Sequence, residues 1–196
     1  MHCSAANAVA GICEYLARRY MDRRYEASRL FMYYNGQIIS QRTRRVQDTG
    51  VNVRDIILGL RKYGVCEERL WPYEPHLLNV EPSQEAYDQA SRYTVVPIRI
   101  PPDIKSIETC LHNQIPVLVD VVLLSEAGKK VRANQGYLPM PNLNTGSLDP
   151  ADIHAVLLVG YDRDTEHFIA RNSWGKDWVD TIFIASIRKI SFSVFL

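Results

Sequence analysis

The sequence has 196 residues, of which 46% are hydrophobic and 23% are charged. These fractions are typical of a globular protein with a sizeable buried core, built as one domain or as two small lobes. The 23 basic and 22 acidic residues leave a formal net charge of +1, which argues against nucleic acid or a membrane surface as the main partner.

The chain carries no recognisable signal peptide, and no apolar run reaches the roughly 18 residues that a membrane-spanning helix needs. The sequence therefore favours no particular cellular compartment. Its cysteines form no CxxC pair and have no histidine at a spacing suited to zinc, so no metal site is predicted. They are Cys3, Cys13, Cys66 and Cys110.

Helical periodicity dominates the first half of the chain. It predicts an amphipathic helix over 5–21, a second helix over 28–36, a third around 53–60 and a short fourth helix over 83–92. The third is the best marked, because Asn52 can cap its first turn and Gly64 stands just past its end.

The second half changes to strand-like runs that are rich in Val, Ile, Leu and Phe. Strands are predicted at 95–100, 117–124, 154–161 and 167–171, with a short helix opened by Asp103 and a long irregular stretch over 125–153. We therefore expect an α+β fold with a mainly helical lobe over 1–94 and a mainly β lobe over 95–196. The interface between two such lobes is a natural place for a cleft.

Two polar residues stand at the ends of predicted neighbouring strands. His154 leads the apolar strand 154–161, and Asn172 follows the short strand 167–171. Taken alone, each is explained by an ordinary structural role. Together they fit thiol chemistry, because a thiolate needs an imidazolium partner that a third group holds in orientation. An Asn carbonyl can accept the proton of one ring nitrogen, and Trp174 can shield that hydrogen bond from water.

The segments His154-Ala-Val-Leu-Leu-Val-Gly-Tyr and Asn172-Ser-Trp-Gly resemble the His and Asn motifs of the papain-like cysteine peptidases, in that family's chain order. Further stretches are similar to the compact bacterial and viral members, and the resemblance extends to about Trp178. These stretches are Ala6-Asn7-Ala8, 28–35, 62–66, 71–73 and 136–141.

The resemblance implies one papain-like peptidase domain over 1–196, with a helical N-terminal lobe, an antiparallel β lobe and the active-site cleft between them. It implies hydrolysis of peptide bonds, with His154 as general acid/base, Asn172 as its orienting residue and Trp174 as the shield. It implies no metal and no organic cofactor. Peptide or protein substrates are the expected partners, and a propeptide or an inhibitor would be a further one.

The family's nucleophile lies at the start of the first helix, where two alignments compete. Matching Ala6-Asn7-Ala8 to the compact members puts Ser4 at the nucleophile position. Glu14 and Ser28 then also align with the pattern of these members without a gap. The rival alignment uses Cys3 and requires one extra residue before Ser28. We favour Ser4, and we expect it to face His154 while the sulfur of Cys3 points away toward a neighbouring loop or Cys66.

Several departures from the family pattern leave activity open. A serine at this position fits an engineered knockout, a natural pseudoenzyme or a serine variant of the site. The family's oxyanion Gln would precede Met1, and the tail 181–196 matches the family poorly. The alternative function is therefore a catalytically inactive papain-like domain that binds peptides or acts as a scaffold.

Overall fold

A computed structural model of the chain describes residues 3–41, 46–122, 133–134, 136–138, 153–173 and 181–185. The chain divides into two compact units, Met1–Pro97 and Ile98–Leu196. The described helices of the first unit and the sheet of the second make the fold α+β, as predicted. The prediction of one domain with lobes meeting at residues 94 and 95 stays a prediction. Across the described residues, no helix combines the length and apolar character needed to cross a membrane.

The described residues of the N-terminal unit form four α-helices, and all four were predicted. They are α1 (Ser4–Met21), α2 (Arg29–Gln41), α3 (Val53–Tyr63) and α4 (Gln84–Ala90), with a short 3-10 helix at Pro75–Leu77. Helix α2 continues beyond its predicted end at residue 36. Helices α1, α2 and α3 pack against one another around fully buried side chains such as Phe31 and Ile56.

Side-chain caps explain where these helices begin. The Asp55 N–H donates to Asn52 Oδ1 over 2.9 Å at the start of α3, as the sequence predicts. Ser28 is fully buried before α2, and its Oγ accepts the Phe31 N–H over 3.1 Å. The same hydroxyl donates to the Trp71 carbonyl over 2.5 Å, so the cap also holds a distant loop.

Small residues permit the close crossing of α2 and α3. A Cβ at Gly36 would lie 2.7 Å from Ile56 Cδ1, and a Cβ at Gly59 would lie 3.3 Å from the Gly36 backbone nitrogen. A side chain at Gly36 would require the end of the Ile56 side chain to move, and one at Gly59 would press on the α2 backbone. The crossing therefore fixes α3 and the loop before it against α2.

The C-terminal unit packs helix α5 (Ile104–His112) on a five-stranded sheet. Its strands are β1 (Val117–Val122), β2 (Tyr137–Leu138), β3 (Ile153–Asp162), β4 (His167–Arg171) and β5 (Thr181–Ala185), in the order β1-β3-β4-β5-β2. Strands β1, β3, β4 and β5 pair antiparallel, whereas β2 runs parallel to β5. The core between α5 and the sheet contains Ile107, Leu111, Val117, Val119, Val121, Val156, Leu158 and Phe168.

One predicted strand is wrong. Residues 94–98 have no regular secondary structure, and Arg99 takes part only in an isolated bridge. Pro97 has no N–H to donate to a ladder, and Val96 is 84% exposed, so the apolar run has neither the pairing nor the burial of a strand. Strands β2 and β5 were not predicted, and most of the irregular stretch 125–153 lies outside the described residues.

We expect Gly64→Ala to destabilise the N-terminal unit by at least about 3 kcal/mol. Gly64 follows α3 with φ 78°, where an L side chain is strained, and an added Cβ would lie 1.9 Å from the Ala90 carbonyl oxygen. Urea unfolding measures the effect. The control is Gly160→Ala, whose Cβ would sit at an ordinary 3.4 Å from Ile169 Cδ1. Equal stability of the two variants would contradict the expectation.

Candidate active site

The antiparallel pairing of β3 and β4 brings His154 and Asn172 together. His154 is the second residue of β3, and Asn172 is the first residue after β4. His154 Nε2 lies 2.9 Å from Asn172 Oδ1, which is hydrogen-bond distance. The predicted contact is therefore confirmed, whereas the catalytic roles of both residues stay predictions. Trp174, predicted to shield this contact, lies outside the described residues.

The hydrogen bond indicates which ring nitrogen of His154 carries a proton. An amide oxygen only accepts, so Nε2–H is the donor, and Nδ1 is the ring atom that can take up and release a proton. Asn172 Oδ1 also accepts the Ser173 N–H over 2.8 Å, which holds the amide in place. Its Nδ2 is buried and makes no hydrogen bond within the described part of the chain.

Burial and the hydrogen bond act on His154 in opposite directions. Burial lowers the pKa of the His154 imidazole, because the charged form loses hydration, and the Asn172 carbonyl partly restores it. The net pKa lies below the ordinary value of histidine. The neutral ring is therefore available to accept a proton near neutral pH, and a negative partner that forms beside it would add to the stabilisation of the cation by Asn172.

An acidic residue that was not predicted from the sequence lies on the strand next to that of His154. Asp120 is on β1, directly opposite Ala155, the residue after His154. Burial raises the pKa of the Asp120 carboxyl to about 6. Its signal in the sequence is a single acid inside the apolar run 117–122, where hydrophobic side chains surround it.

At the start of α1, the two nucleophile candidates lie in different surroundings. Cys3 is the N-cap residue and is only 5% exposed, whereas Ser4 is the first helical residue and is half-buried. Cys3 Sγ lies 2.5 Å from Tyr73 Oη, and Asn7 Nδ2 donates to the same sulfur over 3.3 Å. Burial raises the pKa of the Cys3 thiol, and the Tyr73 hydrogen bond opposes that shift.

The other cysteines offer no alternative chemistry. No cysteine forms a disulfide; Cys13 and Cys66 are buried, and burial raises the pKa of each to about 12. Such thiols are poor nucleophiles at neutral pH. Among the described residues, no group of three or more His, Cys, Asp or Glu side chains could hold a metal ion.

Comparison with known families identifies the architecture. A model described as the papain family of cysteine proteases matches residues 48–194, which is more than half of the chain and includes His154 and Asn172. The chain belongs to the papain family of cysteine proteases. Cys3 and Ser4 precede the matched stretch, so the family match leaves the choice between them open.

Two relatives of this papain-family chain resemble it along most of its length. An uncharacterised peptidase C1-like protein of Acanthamoeba polyphaga mimivirus is 29% identical over 183 residues, spanning 88% of this chain and 57% of its own length. The crystal structure of xylellain, a cysteine protease from Xylella fastidiosa, superposes with a TM-score of 0.83 at 28% identity and spans 99% of this chain and 78% of its own. The chain thus spans little more than half the length of the mimivirus protein.

A more distant solved structure shares the fold. Procathepsin L 3 from Tenebrio molitor larval midgut superposes with a TM-score of 0.68 at 19% identity, spanning 93% of this chain and 57% of its own. At this identity the likeness concerns the papain fold alone.

We expect substitutions at Asn172 to move the pKa of His154 in a defined direction. Asn172→Ala should lower it, because the carbonyl that favours the protonated ring is lost, and Asn172→Asp should raise it through a nearby negative charge. NMR titration of the ring signal, assigned with His154→Gln, measures both shifts. Ser173→Ala is the control, since it retains the amide. An unchanged pKa in both Asn172 variants would contradict the assigned hydrogen bond.

We expect Asp120 to lower stability as the pH rises. Its folded pKa of about 6 exceeds the unfolded value of 3.8, so the folded state binds more protons between these values, and stability falls across that window. Asp120→Asn should therefore be more stable than the parent by about 3 kcal/mol above pH 7, and by little near pH 4. Urea unfolding across this range measures the difference, with exposed Asp164→Asn as the control. A difference that does not vary with pH would refute the expectation.

Proposed function

We propose that this chain cleaves peptide bonds as a cysteine-type peptidase, with His154 as general acid/base and Asn172 as its orienting residue. The observation that carries the proposal is the 2.9 Å hydrogen bond between His154 Nε2 and Asn172 Oδ1, within a chain of the papain family. That bond supplies the two elements that a thiol nucleophile requires, a proton acceptor and a group that fixes its ring.

In the proposed reaction, each ring nitrogen of His154 has its own role. Nδ1 takes the proton of the nucleophile, which attacks the peptide carbonyl carbon. The protonated ring then gives that proton to the leaving amine as the C–N bond breaks, which leaves an acyl-enzyme. Water, deprotonated by the same nitrogen, then attacks the acyl carbon, and the proton returns to the nucleophile as its bond to that carbon breaks. Throughout, Nε2–H remains bonded to Asn172, so the ring does not turn away.

We propose residue 4 as the nucleophile position. It is the first residue of α1, where the helix dipole stabilises a developing negative charge. The rival, Cys3, is buried beside Tyr73 and Asn7, and its pKa is raised, which disfavours the thiolate. Because residue 4 is a serine in this chain, its hydroxyl is far less acidic than the thiol for which such a His–Asn pair is suited.

A second candidate function follows from that serine. A papain-family domain with Ser4 at the nucleophile position could retain a peptide-binding surface while turning over slowly or not at all. Peptides are the proposed ligands in either case, and a propeptide or inhibitor is a proposed further partner. Two solved relatives of the fold are described as a procathepsin and as a protease in complex with E-64.

We expect the unmodified chain to cleave a panel of fluorogenic peptides slowly, and Ser4→Cys to raise kcat/KM by at least about 100-fold. A thiol-directed epoxide should label residue 4 of that variant only. Adding His154→Ala to Ser4→Cys removes the base and serves as the matched control.

Two outcomes would overturn parts of this proposal. Efficient cleavage by the unmodified chain that Cys3→Ala abolishes would make Cys3 the nucleophile. Absence of cleavage and labelling in every variant, with peptide binding retained in fluorescence anisotropy, would favour the binding domain.

A further inference from the structure

The sulfur of Cys3 makes polar contacts that reach outside its own helix. Tyr73 Oη lies 2.5 Å from Sγ, across 70 residues of sequence. Asn7 binds the same residue twice, because its Nδ2 donates to Sγ over 3.3 Å and to the Cys3 carbonyl over 3.1 Å. The Asn7 backbone N–H also donates to that carbonyl over 3.0 Å. Residue 3 is thus held through both its backbone and its side chain.

Tyr73 is itself fixed by the start of α2. Its backbone N–H donates to Glu68 Oε1 over 2.7 Å, and the other oxygen of that carboxylate accepts the Arg29 N–H over 3.2 Å. Two residues earlier, the Trp71 carbonyl accepts from the buried Ser28 hydroxyl. The loop that presents the Tyr73 hydroxyl is therefore anchored at two points to the first turn of α2.

We propose that Tyr73 is a positioning residue for the nucleophile at position 4, acting through the thiol of Cys3. The inference rests on the proposed function, because it assumes that residue 4 attacks the substrate. Residue 4 is covalently joined to residue 3, so the contact that fixes Cys3 also fixes the Cα of residue 4 and the first N–H groups of α1. Those N–H groups stabilise an anion only in the first turn of an ordered helix.

The surroundings of Cys3 act on its charge as well as on its position. Burial raises the pKa of the Cys3 thiol, the Tyr73 hydrogen bond partly opposes that rise, and the net pKa lies above the ordinary value of cysteine. A thiolate at residue 3 would repel one forming at residue 4. While Cys3 is neutral, the helix N-terminus can stabilise an anion at residue 4 without a competing negative charge beside it. A helix N-cap usually carries an oxygen that binds the first turn, whereas here no side-chain cap bond is made and the Cys3 sulfur binds Tyr73 instead.

The test uses the Ser4→Cys chain, in which the alkylation rate of the introduced thiol is followed by mass spectrometry against pH. The alkylation midpoint is the pH at which this rate reaches half its maximum. Adding Tyr73→Phe should raise that midpoint and lower kcat about tenfold with little change in KM, because the displaced thiol loses alignment. Cys3→Ala should give the same shift, and the two changes together should give no more, since they remove one interaction. Cys3→Ser, which retains a hydrogen-bonding atom, should restore much of the parent midpoint.

Tyr87→Phe is the matched control, since it removes another half-buried hydroxyl of the same unit, one bonded to Asn35 Oδ1 over 3.0 Å. It should leave the alkylation midpoint unchanged. A midpoint that Tyr73→Phe leaves unmoved, or that Tyr87→Phe moves equally, would overturn the inference. If Ser4→Cys shows no turnover, the proposed function fails, yet the alkylation midpoint still decides whether Tyr73 positions residue 4.

Discussion

In the C-terminal unit, the antiparallel register of β3 and β4 decides which polar side chains can meet. The turn between the strands is held by Asp162 Oδ1, which accepts the Asp164 N–H over 2.9 Å, and by Glu166 at φ 55°. The register then shifts between Leu158 and Gly160. Since strand side chains alternate between faces, such a shift determines which face every earlier residue of β3 presents. The His154–Asn172 hydrogen bond is a consequence of this geometry.

Asparagine, as the partner of His154, suits thiol chemistry better than serine chemistry. A neutral amide orients the ring without strongly raising its basicity, and burial lowers the pKa of the imidazole. A thiol needs only a modest base, because its own pKa is low enough for a helix terminus to stabilise the anion. A serine hydroxyl needs a stronger base. If residue 4 is the nucleophile, as proposed, its hydroxyl is chemically mismatched to a His–Asn pair of this kind, which is better suited to a thiol.

The sequence predicted those features whose cause is local or whose motif spans adjacent strands. Helix α3 has both a capping Asn52 and a terminating Gly64, and the two polar residues of the sheet stand at fixed positions in their strands. The strand prediction for 95–100 was wrong, because a run of apolar residues does not reveal whether a neighbouring strand exists to pair with it. Strand β5 was missed for the converse reason, since its pairing partners β4 and β2 are set by tertiary packing. The Tyr73 contact with Cys3 was beyond reach, because no periodicity links residues 70 positions apart.

The Ser28 hydroxyl couples two segments of the N-terminal unit that are distant in the sequence. One oxygen caps α2 and also secures the loop before Tyr73, so a change at residue 28 removes two hydrogen bonds from different parts of the unit at once. Substitutions at residues 28 and 73 will consequently be epistatic rather than additive. Without the Ser28 hydroxyl, the Trp71 carbonyl would lose the donor that it has in this structure, and the loop before Tyr73 would keep only its Glu68 contact with the start of α2.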